Sequence, residues 1–268
     1  MNQAEAYRRF RTLHEERRPF IMPNAWDAAS AIVLKQAGFE ALGTSSAAIA
    51  WALGRQDGVR AVTRAEAIAN GALIGTASGL PVNGDLEDGF GATPEDCVAT
   101  VEAAIAGGLA GLGIEDTTAD AADPIHGLDH AVTRVRAAAK AAQDRILLTG
   151  RTDLLLHGRG GVDEAIARLV AFAEAGADVL YAPGLRDIDS VCAVVAAVAP
   201  RPVNVLASPA LPLDALAEAG VARISLGATL YTAALGGLKD AADALARGDM
   251  ATGAKGMPMG GVLGALPR

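Results

Sequence analysis

A chain of 268 residues, 51% of them hydrophobic, is long enough to bury a large core, which excludes intrinsic disorder. Its net charge of −8 repels nucleic-acid phosphates and anionic membranes, so neither is an expected partner. A small anion stays possible, because local arginines or a bound metal can invert that field. The two cysteines, Cys97 and Cys192, each fall in an apolar helical stretch and read as buried free thiols, with no CxxC pair.

The opening residues, MNQAEAYRRFRTLHEERRPF, are charged and lack the apolar core of a signal segment; residues 1–18 read as a helical extension. No apolar run reaches membrane-spanning length, so the cytoplasm is the expected compartment. Short apolar runs then alternate with longer Ala-rich helical patterns. Predicted strands are residues 20–23, 41–44, 82–87, 111–115, 146–151, 179–182, 203–206 and 224–226. They read as continuous apolar runs, as strands covered on both faces require. Between them, Thr63 with Glu66 forms a capping-box pattern, and Thr93-Pro94 places a cap before a first-turn proline. Gly38, Gly176 and Gly220, with Gly107-Gly108 as a variant, sit where a left-handed residue closes a helix before the next strand.

Eight such units without a linker predict an α/β fold of one domain over residues 1–268, a closed (β/α)8 barrel. An open doubly wound sheet would carry a glycine fingerprint after the first strand, where this chain reads Pro23-Asn24-Ala25-Trp26-Asp27. The tail, residues 250–268, is rich in Gly, Met and Pro, and is expected to pack on a neighbouring subunit or stay loose.

Barrel active sites lie at the C-terminal ends of the strands. Those positions hold Asn24, Trp26 and Asp27, then Thr44, Ser45 and Ser46, with Asp57 in a longer loop. They continue with Asp85 to Gly91, Glu115-Asp116-Thr117, Arg151-Thr152-Asp153, Asn204, and Arg223 with Ser225. Asp57, Asp85, Glu87 and Glu115 are therefore expected to converge, with Asp85 and Glu87 two apart on one strand and on one face. Like charges at one spot need protonation or a cation, and an all-oxygen cluster suits Mg2+, with Mn2+ as the alternative. Structural ion pairs and loop caps are the competing reading. Arg151 is placed either to hold a substrate carboxylate or to pair with Asp153. Ser45 and Ser46 could receive a second anionic group, and Leu226 to Thr229 could present a helix N-terminus to phosphate. His126 and His130 are four apart, but Gly127 between them and the lack of a third ligand favour a surface turn; His157 reads as part of a plain loop.

Asp85-Leu86-Glu87-Asp88-Gly89-Phe90-Gly91 resembles the Asp-x-Asp-x-Gly-Tyr-Gly signature of the isocitrate lyase/phosphoenolpyruvate mutase superfamily. Gly113-Ile114-Glu115-Asp116, Arg151-Thr152-Asp153 and Leu53-Gly54-Arg55-Gln56-Asp57 extend the resemblance over nearly the whole chain. It implies that Asp85 ligates Mg2+ directly while Asp57, Glu87 and Glu115 hold its waters. Ser45 and Ser46 would bind the substrate carboxylate and Arg151 its far anionic group, with Asn204 a further substrate contact and Asp57 and Arg151 the catalytic candidates. It also implies an eighth helix exchanged between subunits of a homodimer or homotetramer. Glu87 departs from the family pattern by one methylene. The loop after the fourth strand departs further: no Cys or Lys lies between Glu115 and Lys140, so the lyases' Lys-Lys-Cys-Gly-His motif is missing. Residues 117–124 also lack the Lys and Asn of the mutase and phosphonopyruvate hydrolase branch. The shared chemistry remains: cleavage or decarboxylation of an oxaloacetate-like 2-oxo acid through an enolate. Phosphonopyruvate C–P chemistry and a non-catalytic 2-oxo acid binding protein are the alternatives.

Overall fold

The structure is a computed structural model describing residues 1–16, 18–58, 60–256 and 259–265. It begins with α1 (Gln3–Glu15), β1 (Phe20–Met22), α2 (Ala28–Gln36), β2 (Leu42–Gly43), α3 (Ser46–Ala52), α4 (Arg64–Ser78) and β3 (Val82–Asp85). It continues through α5 (Pro94–Ala106), β4 (Gly111–Glu115), α6 (Leu128–Ala142), β5 (Leu147–Arg151), α7 (Val162–Glu174) and β6 (Val179–Tyr181). Then come α8 (Ile188–Val198), β7 (Val203–Leu206), α9 (Leu213–Glu218), β8 (Arg223–Ser225), α10 (Thr229–Ala246), a 3-10 turn at Met250–Lys255 and α11 (Met259–Leu263).

The eight strands form one parallel sheet in the order β1-β8-β7-β6-β5-β4-β3-β2. Just beyond β1, the seam with β2 closes: Gly43 N donates to Pro23 O and Ala25 N to Gly43 O, each at 2.9 Å. A side chain at position 43 would meet Asn24 Nδ2 at 2.8 Å, so this close approach requires glycine. The sheet is thus the expected (β/α)8 barrel. Thr63 and Thr93 both cap helices with reciprocal capping boxes. Gly38, Gly108, Gly176 and Gly220 take φ of 93°, 82°, 106° and 80° at the ends of α2, α5, α7 and α9.

The strands are not apolar on both faces as predicted. Their outward residues, such as Val82, Leu112, Leu148, Leu180 and Ile224, pack under the helices. Their inward residues are polar: Asn83, Thr149, Asn204 and Arg223. The outward apolar residues dominate runs this short and hide the alternation. At the N-terminal end of the barrel, α1 plugs the opening with Tyr7, Phe10 and Leu13, packed against Met22, Ala41, Ala110 and Leu147.

Cys97 is buried, but Cys192 on α8 is exposed, because its helix turns Val191 and Val194 inward instead. α10, the eighth barrel helix in chain order, buries none of its residues and leaves Leu235, Leu238 and Leu245 exposed. Among the described residues, no helix is long and apolar enough to cross a membrane.

Candidate active site

β3 ends at Asp85, two residues before the prediction, and that changes where Glu87 points. Glu87 and Phe90 both take positive φ, 49° and 60°, a backbone region unfavourable for residues with a side chain. Asp85 and Glu87 therefore do not share a strand face: Glu87 reaches the cluster from a turn. That turn is held from behind by Arg134 of α6, which is fully buried. Its guanidinium donates to the carbonyl of Asp88, to Gly91 O at 2.9 Å and to Glu115 O at 3.1 Å. One helix side chain thus ties the β3 turn to the end of β4.

Asp85 lies at the centre of the mouth. Its amide donates to Thr44 Oγ1 at 2.8 Å, and its Oδ2 accepts from Ser46 N at 2.9 Å. The Ser46 side chain also bonds Asp57, bringing the loop after α3 against Asp85. Burial, then the Asp85 charge, raises the Asp57 carboxyl above the usual carboxylate range. Burial also pushes Glu87 up to about 8, with Asp85 and Asp57 adding to the effect. Glu115 is raised by burial too, against the opposing charge of Arg151. The Asp85 charge adds to the shift of each of the other three. Among the described residues, however, no three acidic, His or Cys side chains meet closely enough to form a direct ligand set. The arrangement is one carboxylate at the barrel centre with three others around it. Such an oxygen-only set is able to hold a hard cation largely through waters.

Arg151 forms the ion pair with Asp153 that the sequence offered as one of its two readings. Its Nε and Nη2 meet the two Asp153 oxygens at 2.5 and 2.7 Å, and Nη1 meets Glu115 Oε1 at 2.7 Å. Asp85 Oδ1 lies 3.6 Å from the same Nη1. Although burial opposes it, Asp153, Glu115 and Asp85 hold the guanidinium firmly charged. Asp153 is itself oriented by buried Asp116, whose oxygens accept from Asp153 N at 2.9 Å, Thr152 Oγ1 at 2.6 Å and Arg168 Nη1 at 3.0 Å.

Ser45 is buried as the N-cap of α3, its hydroxyl accepting from Ala48 N, so it is turned into the helix end. Ser46, Asp57, Glu87, Glu115 and Arg151 share an outer cavity with Arg60, which is paired to Asp88, and with His157. Asp85, Glu115, Arg151 and Asn204 share an inner cavity that runs down to Arg223. There Asn204 accepts from Arg223 Nε at 2.9 Å and donates to Ser225 Oγ at 3.0 Å. Gly227 reaches the same wall, whereas α10 begins two residues later without a side-chain cap. His126 is half-buried in the turn before α6 and His130 is exposed on that helix, their ring centroids 4.7 Å apart.

The loop after β4 is fastened to itself and to the loop after β5. Thr118 N donates to Pro124 O at 2.8 Å, Thr118 Oγ1 to Asp123 O at 2.6 Å, and Arg159 Nη2 to Ala122 O at 2.6 Å. Sequence reading missed Arg134 and Arg168, which act through the helix layer, and Tyr181. Tyr181 had a signal: it ends β6, the one strand whose C-terminal end was given no candidate.

A parallel barrel with carboxylates and an arginine gathered at its C-terminal mouth defines the class of (β/α)8 small-molecule enzymes. Within it, the chain belongs to the phosphoenolpyruvate phosphomutase family, whose model matches residues 10–246. A Burkholderia cenocepacia J2315 structure assigned as a lyase/mutase is 42% identical, with TM-score 0.92, covering 97% of this chain and 95% of that one. Oxaloacetate decarboxylase of Pseudomonas paraeruginosa is 31% identical over 236 residues, 84% of this chain and 80% of its own. The structure of an oxaloacetate acetylhydrolase with its product oxalate is 25% identical, with TM-score 0.87, covering 99% of this chain and 95% of that one.

Proposed function

We propose that this chain, folded as one barrel domain, is a divalent-metal-dependent enzyme acting on a small 2-oxo acid of the oxaloacetate type. It would break a carbon–carbon bond at C3 by decarboxylation or cleavage. The observation that carries this reading is the gathering of Asp57, Glu87 and Glu115 about Asp85, where burial, with the Asp85 and Asp57 charges adding to it, pushes Glu87 up to about 8. Arg60 is committed to Asp88 and Arg151 to Asp153 and Glu115, so the cluster is short of positive charge. Oxygen donors alone fit Mg2+ or Mn2+. Asp85 would hold the ion directly, and Asp57, Glu87 and Glu115 would hold its waters. When bound, the ion supplies positive charge beside the substrate's carboxylate and carbonyl oxygens, favouring negative charge on the carbonyl oxygen.

The chain's own residues do the rest. Ser46 N fixes Asp85, and Asp57 is held in place by Ser46. The Arg151 N–H groups left free by Asp153 and Glu115 would orient the far carboxylate, with Asn204 and the Ser45-Ser46 turn bounding the substrate. Names of relatives that act on oxaloacetate support this substrate class. The matched family's own name supports a second reading, C–P bond chemistry on phosphonopyruvate. The uncovered α10 supports a homodimer or homotetramer in which that helix is exchanged.

The test is a thermal-shift titration with oxaloacetate, 2-oxoglutarate, pyruvate and phosphonopyruvate, each with Mg2+ and with EDTA. Oxaloacetate should stabilise the protein only with metal, and Asp85→Ala should abolish that shift while the fold persists. Turnover of oxaloacetate above the free-metal rate marks an enzyme; phosphate release from phosphonopyruvate would replace the first reading by the second. No stabilisation by any of the four overturns both.

A further inference from the structure

Breaking a bond to C3 leaves an electron pair on that carbon, and the site must supply a proton to close it. This need rests on the reading above. Asp85 and the acids around it would be taken up by the cation and its waters, and Asp153 is bound to Arg151. The loop after β4 offers neither thiol nor amine, and Cys97 is buried against Gly89. Arg151 is held charged by Asp153, Glu115 and Asp85, and the Arg223 guanidinium is taken up by Asn204, His14 and Thr149.

Tyr181 remains. It ends β6, in register with Arg151 on β5 and Asn204 on β7, and lines the inner cavity with Asp85 and Glu115. The Arg151 guanidinium lies over its ring, 5.3 Å from the centroid. Its hydroxyl bonds the side chain of Ser225, which also receives Asn204 Nδ2. We propose that Tyr181 is the general acid that protonates C3 of the 2-oxo acid. The phenolic O–H bond breaks, its proton goes to C3, and the enolate's electron pair becomes the new C–H bond. The phenolate is balanced by Arg151 above its ring and regains a proton from water, with Ser225 holding the oxygen in place. Burial keeps the phenol protonated, up to about 12, while Arg151 pulls the other way and makes the transfer easier.

The test is deuterium exchange at C3 of pyruvate in D2O with Mg2+, followed by NMR, beside the thermal shift with oxaloacetate. Tyr181→Phe keeps the ring under Arg151 and removes only the hydroxyl. The variant should exchange about 100-fold more slowly, with its oxaloacetate-dependent shift preserved. Exchange within threefold of wild type overturns the acid role, as does loss of exchange and ligand binding together, which marks a structural hydroxyl. A wild type that binds oxaloacetate but exchanges no proton also overturns Tyr181 and leaves the proposed substrate class standing. A wild type that does neither removes that class and the acid role with it.

Discussion

His14 shows how one residue can set a pH limit on this fold. It is buried on α1, with Nδ1 donating to Phe10 O at 2.8 Å and Nε2 facing Arg223 Nη1 at 3.4 Å, so the neutral ring has both nitrogens in use. Burial, and then the Arg223 charge, pushes its pKa down to about 3 from the ordinary 6.5. Among the described residues Arg223 itself has no carboxylate partner, and it is lowered to about 10 by burial. The unfolded chain therefore binds a proton at His14 that the folded chain refuses. Its contribution to stability is complete above pH 6.5 and is lost as the pH falls from 6.5 toward 3. Chemical denaturation of wild type and His14→Gln between pH 8 and 5 reads this directly. The variant should be less stable at pH 8 and show a shallower decline below 6.5. His126, lowered to about 4 by burial, adds an equal slope to both proteins. Parallel slopes would show that His14 does not titrate as its burial requires.

At the scale of elements, the site is built from short strand ends braced by helices one layer out. α6 sends Arg134 to three carbonyls of the β3 turn and the β4 end, and α7 sends Arg168 to Asp116. Among the described residues Arg134 forms no ion pair; its work is to satisfy carbonyls in a turn strained at Glu87 and Phe90. Arg134→Met leaves those acceptors unpaired and should cost about 3 kcal/mol in urea unfolding. It should also weaken metal-dependent ligand stabilisation, since Glu87 rides on that turn. Arg134→Lys should fail to restore either, because one ammonium cannot reproduce the guanidinium fork. A loss below about 0.5 kcal/mol would show that the turn holds itself.

For the whole molecule, α10 is the element out of balance. Eighteen residues form a helix with no buried face, and Leu238 is 64% exposed. Near its start Tyr231 packs edge-on against Trp26, with centroids 5.3 Å apart, and tilts against Trp51 at 6.1 Å. An apolar face of this kind is stable in water when a second copy covers it. Sedimentation equilibrium should find a dimer or tetramer for wild type and a smaller species for Leu238→Glu. A wild type at monomer mass overturns the exchanged-helix arrangement.

The sequence by itself determined the elements whose causes are local. Threonine caps at Thr63 and Thr93 and left-handed glycines at Gly38, Gly176 and Gly220 act within a few residues, so helix ends and the eight-unit rhythm were legible. The strand-end rule then placed Asp57, Asp85, Glu115 and Arg151 at one mouth before any contact was known. The face presented by Glu87 was decided by a backbone turn that a two-residue spacing does not encode. The polar barrel interior was hidden because strands of two to five residues are too short to display a period against apolar neighbours. Cys192 points outward because the turn of α8 about its axis is set by packing, not by composition. The strand-end rule pointed to Tyr181, but the contacts of Arg134 and Tyr181 were decided by the closed barrel, for their partners lie 43 and 30 residues away, at Gly91 and Arg151. Local chemistry fixes where a chain turns; only the closed sheet decides which side chains then share a space.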